Sequence, residues 1–228
     1  MLVRIGLLKK KRDWDTNRFR RHWLDHHGPL ARQLPGLSGY VQNHVVQHPH
    51  SRADLARGTE EFDGFSQLWF EDDSAAHIAI STELGRSLAA DEGHFIGDLR
   101  IALAEQNPVV TPAKDTRLVK FMSLLKRRSD VTADRFKNEW ANAQASLIKK
   151  IRNVCGYRQN LIIERQVPKG TPVDYDRLPI DGISELWFDS IDALEAGFAS
   201  FEGQLAVKHA RELIAEATAF LVDSHVIV

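Results

Sequence analysis

The residues best suited to chemistry lie in one short segment, residues 22–31, with the sequence HWLDHHGPLA. His27 follows Trp23 by four residues and falls on the apolar stripe of a predicted helix. Pro29 lacks an amide proton and its ring opposes the carbonyl of Asp25, so we expect the helix to kink or restart there. A histidine at a helix break that faces a cavity can act as a general acid or base near neutral pH. His27 is therefore the candidate catalytic residue, and the alternative is a half-buried core histidine with one hydrogen bond.

Four residues on two predicted strands are further candidates, which would bind a ligand rather than transfer a proton. Gln67 and Trp69 share one strand face, where they would line a cavity with a polar group and a stacking surface. Tyr40 and Asn43 are three residues apart on another strand, so they face opposite sides and at most one can face a given cavity. Packing in the core is the alternative interpretation for the tryptophan and for this pair.

A second predicted helix adds two more candidates. Asp91 and His94 are three residues apart, within reach of each other on one helical face. They could form a His–Asp pair, whereas the alternative is that Asp91 caps or braces the helix. The predicted ligand-binding residues are therefore Trp23, His26, Tyr40, Asn43, Gln67, Trp69, Asp91 and His94.

Neither a metal site nor a cofactor site is predicted. His44, His48 and His50 leave a strand into a loop without the ligand spacing of zinc sites, so we expect them to be surface histidines. Cys155, the single cysteine, aligns with Ser38 beside a strand glycine and is predicted to be a small buried residue rather than a nucleophile. The sequence contains no phosphate-binding glycine loop, dinucleotide fingerprint, nucleophile elbow or zinc-protease helix.

The elements that must position these residues occur twice along the chain. Several motifs of the first half recur in the same order in the second half, at a nearly constant separation that grows by single residues, as small loop insertions would produce. The clearest recurrences are residues 39–43 (GYVQN) as residues 156–160 (GYRQN), and residues 63–70 (DGFSQLWF) as residues 181–188 (DGISELWF).

The second copy lacks the candidate site. Residues 26–29 (HHGP) become AQAS at residues 143–146, and the pair Asp91-Glu92 becomes Ala210-Arg211. We predict two domains, residues 1–111 with the intact motif and residues 116–228 with the diverged copy. The join is expected between residues 108 and 115, where two prolines interrupt regular structure.

Each half is predicted to contain a strand, a helix, two strands, a second helix and a last strand. With right-handed crossovers this order gives a ferredoxin-like sheet with both helices on one face. The second copy can cover the other face, which predicts an α+β protein whose halves form an internal pseudo-dimer, and the sequence leaves further homodimerisation open. The predicted first-half elements are strands at residues 2–9, 37–47, 64–71 and 104–111, a first helix capped by Asp15 or Thr16, and helical sequence up to about residue 103.

Composition narrows the class of protein. The 228 residues are 43% hydrophobic and 27% charged, with a net charge of −1, which is ordinary for a globular protein. This balance gives no electrostatic reason to bind nucleic acid or an anionic membrane. A bilayer span needs a run of about 18 or more apolar residues, and the chain has none. The first residues do not resemble a signal peptide, and one cysteine cannot form an internal disulfide, so a cytoplasmic location is expected.

The HGPLA motif, the segment GLSGYVQN at residues 36–43 and the strand DGFSQLWF resemble the EthD family, within the dimeric α+β barrel superfamily. The pattern of Asp91, Glu92 and Phe95 is also similar to that family. The resemblance covers residues 1–111 and, more weakly, the second half. It implies two ferredoxin-like units that form a dimeric α+β barrel.

The same resemblance implies a cofactor-independent protein that binds a small apolar or aromatic molecule. Relatives by resemblance act in ether and aromatic catabolism or are lactone isomerases and polyketide dehydratases, so His27 would transfer protons in an isomerase or dehydratase-type enzyme. One alternative is a non-catalytic ligand-binding or accessory protein of a degradation pathway. Another is a haem-binding barrel, since some barrels of the superfamily bind haem. The sequence leaves open whether the protein is an enzyme.

Overall fold

The computed structural model describes residues 2–49, 55–71, 73–113 and 117–228. Within these residues, one order of strands and helices occurs twice. The strands are β1 (Leu2–Lys10), β2 (Leu37–Gln47), β3 (Gly64–Phe70), β4 (Ile96–Val110), β5 (Val119–Arg127), β6 (Gly156–Gln166), β7 (Gly182–Phe188) and β8 (Ile214–Val226). The helices are α1 (Thr16–His22), α2 (Gly28–Ala31), α3 (Asp73–Ser81), α4 (Glu83–Phe95), α5 (Ala133–Glu139), α6 (Ala145–Lys150), α7 (Ile191–Ala199) and α8 (Phe201–Leu213), with π-helical segments at Trp23–His27 and Trp140–Gln144.

The strands form one closed barrel in the order β1-β3-β2-β8-β5-β7-β6-β4. Each half contributes four antiparallel strands in the ferredoxin-like order. These are β4-β1-β3-β2 in the first half and β8-β5-β7-β6 in the second half. The halves join twice, through pairing of β2 with β8 and of β4 with β6. The predicted α+β fold, with two ferredoxin-like units in an internal pseudo-dimer, is confirmed.

The barrel interior is the main hydrophobic core, and both halves fill it. Ile5 and Phe65 from the first half pack with Ile183 and Phe220 from the second half, and all four are fully buried. Burial of a side chain of this size stabilises the fold by roughly 1.5–3 kcal/mol. The helices cover the outer faces of the two sheets, so each sheet is covered on both sides. Among the described residues, no helix is long and apolar enough to cross a membrane.

The predicted boundary between the second helix and the last strand of the first half is wrong. The helix α4 ends at Phe95 and β4 runs for 15 residues from Ile96, instead of a short strand near residues 104–111. Residues 96–103 (IGDLRIAL) have helix-forming side chains, but pairing with β1 on one side and β6 on the other overrides that preference. Pro108 also lies inside β4, beside a register shift, where it was expected to interrupt regular structure.

The first helix begins as predicted. Asp15, rather than Thr16, is its N-cap, and the Asp15 carboxylate accepts a hydrogen bond from the backbone N–H of Arg18 at 2.9 Å. The predicted apolar stripe is buried at Phe19, Trp23, His27 and Leu34 and partly buried at Leu30.

The change in the helix before Gly28 has a different cause from the one expected. The segment Trp23–His27 is π-helical, but the second half has the same turn at Trp140–Gln144 without any proline. Both turns share a buried glutamine on the neighbouring strand. Gln42 Nε2 donates to the Trp23 carbonyl at 2.7 Å, and Gln159 Nε2 donates to the Trp140 carbonyl at 2.6 Å. The inserted amide therefore accounts for the π turn better than Pro29 does.

Candidate functional site

A buried His–Asp pair links the π-helical segment Trp23–His27 to α4. His27 ends the π-helical segment and is 7% exposed, and its Nδ1 lies 2.8 Å from Asp91 Oδ2 on α4. Burial alone would raise the pKa of Asp91, but hydrogen bonds from His27 and His22 outweigh it and lower the pKa to about 2. An ionised carboxylate only accepts hydrogen bonds, so Nδ1 of His27 carries the proton. In the neutral ring, Nε2 is then left with a lone pair that can accept a proton.

Two further histidines surround the same carboxylate. His22 Nε2 lies 2.8 Å from Asp91 Oδ1, and His26 Nε2 lies 3.7 Å from that oxygen. The ligand-type atoms of these three residues lie within 4.8 Å of one another, so they could hold a metal ion. Sequence reasoning missed His22, although its separation of four residues from His26 was the available signal.

The cavity beside His27 lies between the outer face of the first-half sheet and its helices. It measures about 60 Å³, and its walls are mostly apolar. The polar groups on its wall come from both halves of the chain. They are Arg4 on β1, His27, Tyr40 on β2, Ser66 on β3, Glu92 on α4 and Lys169 from the loop between β6 and β7.

Lys169 reaches the first-half cavity from the second half. Its Nζ lies 2.6 Å from Glu92 Oε1, and its backbone N–H donates to the Leu99 carbonyl at 2.9 Å. Burial lowers the pKa of Lys169, and the charge of Glu92 opposes that shift. The cavity is therefore complete only when both halves are present.

Tyr40 offers a hydrogen-bond donor to this cavity. Its hydroxyl oxygen accepts from Trp23 Nε1 and from Gln42 Nε2, both at 3.1 Å. Among the described residues no acceptor takes the hydroxyl hydrogen, so it is left over for a ligand. Burial raises the pKa of Tyr40, which keeps the hydroxyl protonated.

Three of the predicted ligand-binding residues lie elsewhere, in the barrel interior. Asn43 Nδ2 donates to Gln67 Oε1 at 3.0 Å, and Trp69 Nε1 donates to Gln106 at 3.3 Å. Asn43 and Tyr40 face opposite sides of β2, as predicted. In the interior the two amides contact the ion pair of Lys120 and Glu185, whose Nζ and Oε2 are 2.7 Å apart.

His94 is not part of the site either. It is exposed on α4, while the Asp91 oxygens contact the histidines of the first helix instead. The structure therefore brings together Trp23, His27, Tyr40 and Asp91, with His26 at the exposed edge, and separates Asn43, Gln67, Trp69 and His94 from them.

Two expectations about single residues are corrected. His44 is buried rather than on the surface, because its ring stacks on Trp23 at 4.5 Å and its Nε2 bonds Gln42 Oε1 at 2.9 Å. His48 is exposed as expected, and His50 lies outside the described residues. Cys155 is half-buried rather than buried, and burial raises the pKa of its thiol.

The matching region of the second half has an amide in place of the histidine. Gln144 takes the place of His27, donates to the Ala206 carbonyl at 3.2 Å and accepts from His209 Nδ1 at 2.7 Å. The cavity there is larger, about 140 Å³, and is lined largely by apolar side chains. Phe121 stands at the position that Arg4 has in the first half.

The EthD domain profile matches residues 11–98 and again residues 128–215. The chain belongs to the EthD family. One match in each half agrees with the tandem duplication read from the repeated motifs, and the two matches together cover most of this EthD protein.

Solved structures share the fold of this EthD protein over nearly its whole length. A candidate monooxygenase from Fusobacterium nucleatum aligns over 99% of this chain and 93% of that chain, at 8% identity and a TM-score of 0.64. An anthrone oxidase-like protein aligns over the same shares, at 12% identity and a TM-score of 0.61. A candidate monooxygenase from Lactobacillus acidophilus covers 99% and 94%, at 9% identity and a TM-score of 0.58. At these identities the likeness concerns the fold alone, and no curated protein matches the sequence.

Proposed function

We propose that this EthD protein is a cofactor-independent enzyme that transfers protons on a small apolar or aromatic molecule, with His27 as the general base and acid. The observation that carries the proposal is the buried contact of 2.8 Å between His27 Nδ1 and Asp91 Oδ2. It fixes the ring and leaves Nε2 as the basic atom. A positioned base of this kind contributes about 10²–10⁴-fold to a rate.

The proposed reaction is an isomerisation or a dehydration. His27 Nε2 takes a proton from a carbon next to a carbonyl, and the electron pair of the C–H bond moves onto the carbonyl oxygen. The Tyr40 hydroxyl donates a hydrogen bond to that oxygen, where negative charge develops. The protonated His27 then returns the proton to another carbon, or gives it to a departing hydroxyl group, which leaves as water.

We propose that residues 1–111 form the unit that carries this site. Residues 116–228 would complete the barrel and supply Lys169 to the cavity. Gln144 stands where the first half has His27, which supports different roles for the two units.

The test is a screen for turnover of lactones, aromatic ketones and β-hydroxy ketones by the wild type and two variants. His27→Gln introduces the residue that the second half has at this position, so the variant should fold. Its turnover rate should fall at least about 100-fold. His94→Gln alters an exposed histidine and should behave as the wild type. Equal rates for His27→Gln and the wild type on a true substrate would rule out the proposed role.

A ligand-binding protein without catalysis is the second candidate function. It is supported by the second-half cavity, which is present with an amide in place of the histidine. Ligand binding that His27→Gln leaves unchanged, without turnover of any member of the screen, would favour this function.

Haem binding has less support from the first-half cavity. A volume of about 60 Å³ is far below that of a four-ring macrocycle. We expect no Soret band after haem is added to the purified protein. A stable band that disappears in His27→Gln would contradict this expectation.

A further inference from the structure

The guanidinium of Arg4 is a charged group that the proposed proton transfer does not use. Arg4 lies on β1 and lines the same cavity as His27. Among the described residues it forms no side-chain hydrogen bond and no ion pair. Burial lowers the pKa of Arg4, while Glu92 and Glu164 attract its charge without contacting it. The cavity wall therefore contains a half-buried cation that lacks a direct protein partner.

The other charges of the cavity do not neutralise Arg4. Glu92 is held by Lys169, at 2.6 Å between Oε1 and Nζ, so these two charges cancel. Arg4 then leaves one positive charge on the wall. A half-buried cation without an anion loses part of its hydration without gaining a protein partner. The second-half cavity has Phe121 at this position and carries no such charge.

We propose that Arg4 binds the carboxylate of a small carboxylic acid. This inference rests on the proposed function for the substrate's orientation, since the carboxylate on Arg4 would direct the neighbouring carbons toward His27. The planar guanidinium fork matches a carboxylate with two parallel hydrogen bonds. Leu8, Leu68 and Leu99 would contact the apolar part of the acid.

The volume of the first-half cavity limits the size of the acid that Arg4 can bind. A cavity of about 150 Å³ takes one benzene ring, whereas this cavity measures about 60 Å³. A carboxylate with one or two further carbons fits, and a longer acid or an aromatic ring must extend through the opening. Propionate is the matched probe, and propionamide is its neutral isostere.

The test measures binding of propionate and propionamide by calorimetry at constant ionic strength. We expect the wild type to bind propionate and not propionamide. Arg4→Gln should lower the affinity for propionate at least tenfold, and Arg4→Lys should retain part of that affinity. Arg12→Gln, an exposed arginine beyond β1, should bind as the wild type. Equal propionate affinity in Arg4→Gln, or equal affinity of the wild type for the amide, would overturn the inference.

Stability provides a second readout. Replacement of an arginine with a structural role lowers the melting temperature, whereas replacement of a cation without a protein partner breaks no ion pair or hydrogen bond. Arg4→Gln should therefore melt at the same temperature as the wild type or higher. If Arg4→Gln does not fold, Glu92→Gln decides the question, because it frees Lys169 and should tighten propionate binding several-fold. Unchanged affinity in Glu92→Gln would count against the anion site.

The His27→Gln variant separates this inference from the proposed function. It should bind propionate as the wild type does, while proton transfer is lost. Propionate binding without turnover of any acid by the wild type would remove the proposed function alone. Turnover of neutral substrates without propionate binding would remove the carboxylate site alone.

Discussion

At the scale of single residues, Asp91 decides how His27 can act. The carboxylate accepts from His27 Nδ1 and from His22 Nε2, both at 2.8 Å, and is 7% exposed. Without it the imidazole could rotate or present the wrong nitrogen to the cavity. Asp91 is therefore a positioning residue for His27.

Replacement of this carboxylate tests its positioning role. Asp91→Asn removes the charge and lets the amide donate as well as accept, so we expect the rate of proton transfer to fall about 10²-fold or more. The control is Asp25→Asn, which alters an exposed aspartate in the π-helical segment that carries His27. A variant that keeps the wild-type rate and pH profile would show that Asp91 only braces the helix.

The folded state should lose stability at acidic pH, in part because of His44. Burial and the nearby charges of His225 and Arg20 lower the pKa of His44 to about 3. Because the folded pKa lies below the unfolded value, the stabilising effect is full above about pH 6.5 and is lost as the pH falls toward 3. His44→Phe keeps the ring stacked on Trp23 and should flatten this loss, which is of order 2–4 kcal/mol.

Urea unfolding at several pH values between 7 and 4 measures that difference. The control variant is His94→Phe, which replaces an exposed histidine that forms no ion pair among the described residues. This variant should keep the wild-type pH dependence. Parallel stability curves for the wild type and His44→Phe would mean that His44 does not titrate in this range.

Only part of the site could be predicted from the sequence. Helical spacing was enough to place His27 on the buried stripe, since that information is local. Its partner Asp91 lies 64 residues away, so spacing on one helix pointed to His94 instead. Arg4 was missed because a lone arginine in a strand resembles a surface residue until the loop that carries Lys169 covers it.

At the scale of elements, the π-helical turn positions His27. Gln42 on β2 bonds the Trp23 carbonyl and the Tyr40 hydroxyl, so one side chain ties the turn to the sheet. The second half contains the same arrangement around Gln159. The two glutamines make the same contacts, but only Gln42 supports the candidate site. Gln159 therefore serves as the control for Gln42.

Gln42→Met and Gln159→Met should separate stability from activity. Each variant leaves buried polar groups without partners and should lower the free energy of unfolding by about 1–3 kcal/mol. Only Gln42→Met should also reduce proton transfer, because it lets His27 move. Urea unfolding and the turnover assay measure both effects. Equal activities in the two variants would mean that the π turn does not control the site.

The strands β2 and β3 were predictable because β-branched and aromatic residues alternate within them. The start of β4 was not, since residues 96–103 carry helix-forming side chains and become a strand only through pairing with β1 and β6. Pairing between the two halves is a property of the whole barrel and leaves no local pattern.

At the scale of the whole molecule, the duplication has allowed the two halves to diverge at their shared interior. Gln67 and Glu185 occupy matching positions and bond each other at 2.8 Å. Glu185 is compensated by Lys120, whose matching position in the first half is Val3. The ion pair lies within the second half, and the hydrogen bond from Gln67 to Glu185 connects it to the first half.

The ion pair can be removed in two steps. Lys120→Val alone leaves the buried Glu185 with only Arg158, at 3.7 Å, as a countercharge and should lower the free energy of unfolding by about 3 kcal/mol. The double variant with Glu185→Gln restores the residues found in the first half and should recover much of that loss. Urea unfolding compares the three proteins. A double variant as unstable as the single one would contradict this role for the pair.

The most direct test of proton transfer by His27 follows deuterium from D₂O into a substrate. The wild type is incubated with a compound that it turns over, and NMR detects deuterium at the carbon that loses its proton. We predict incorporation by the wild type and none above the uncatalysed rate by His27→Gln, with both proteins equally folded. Incorporation at the same rate in both proteins would show that another group moves the proton.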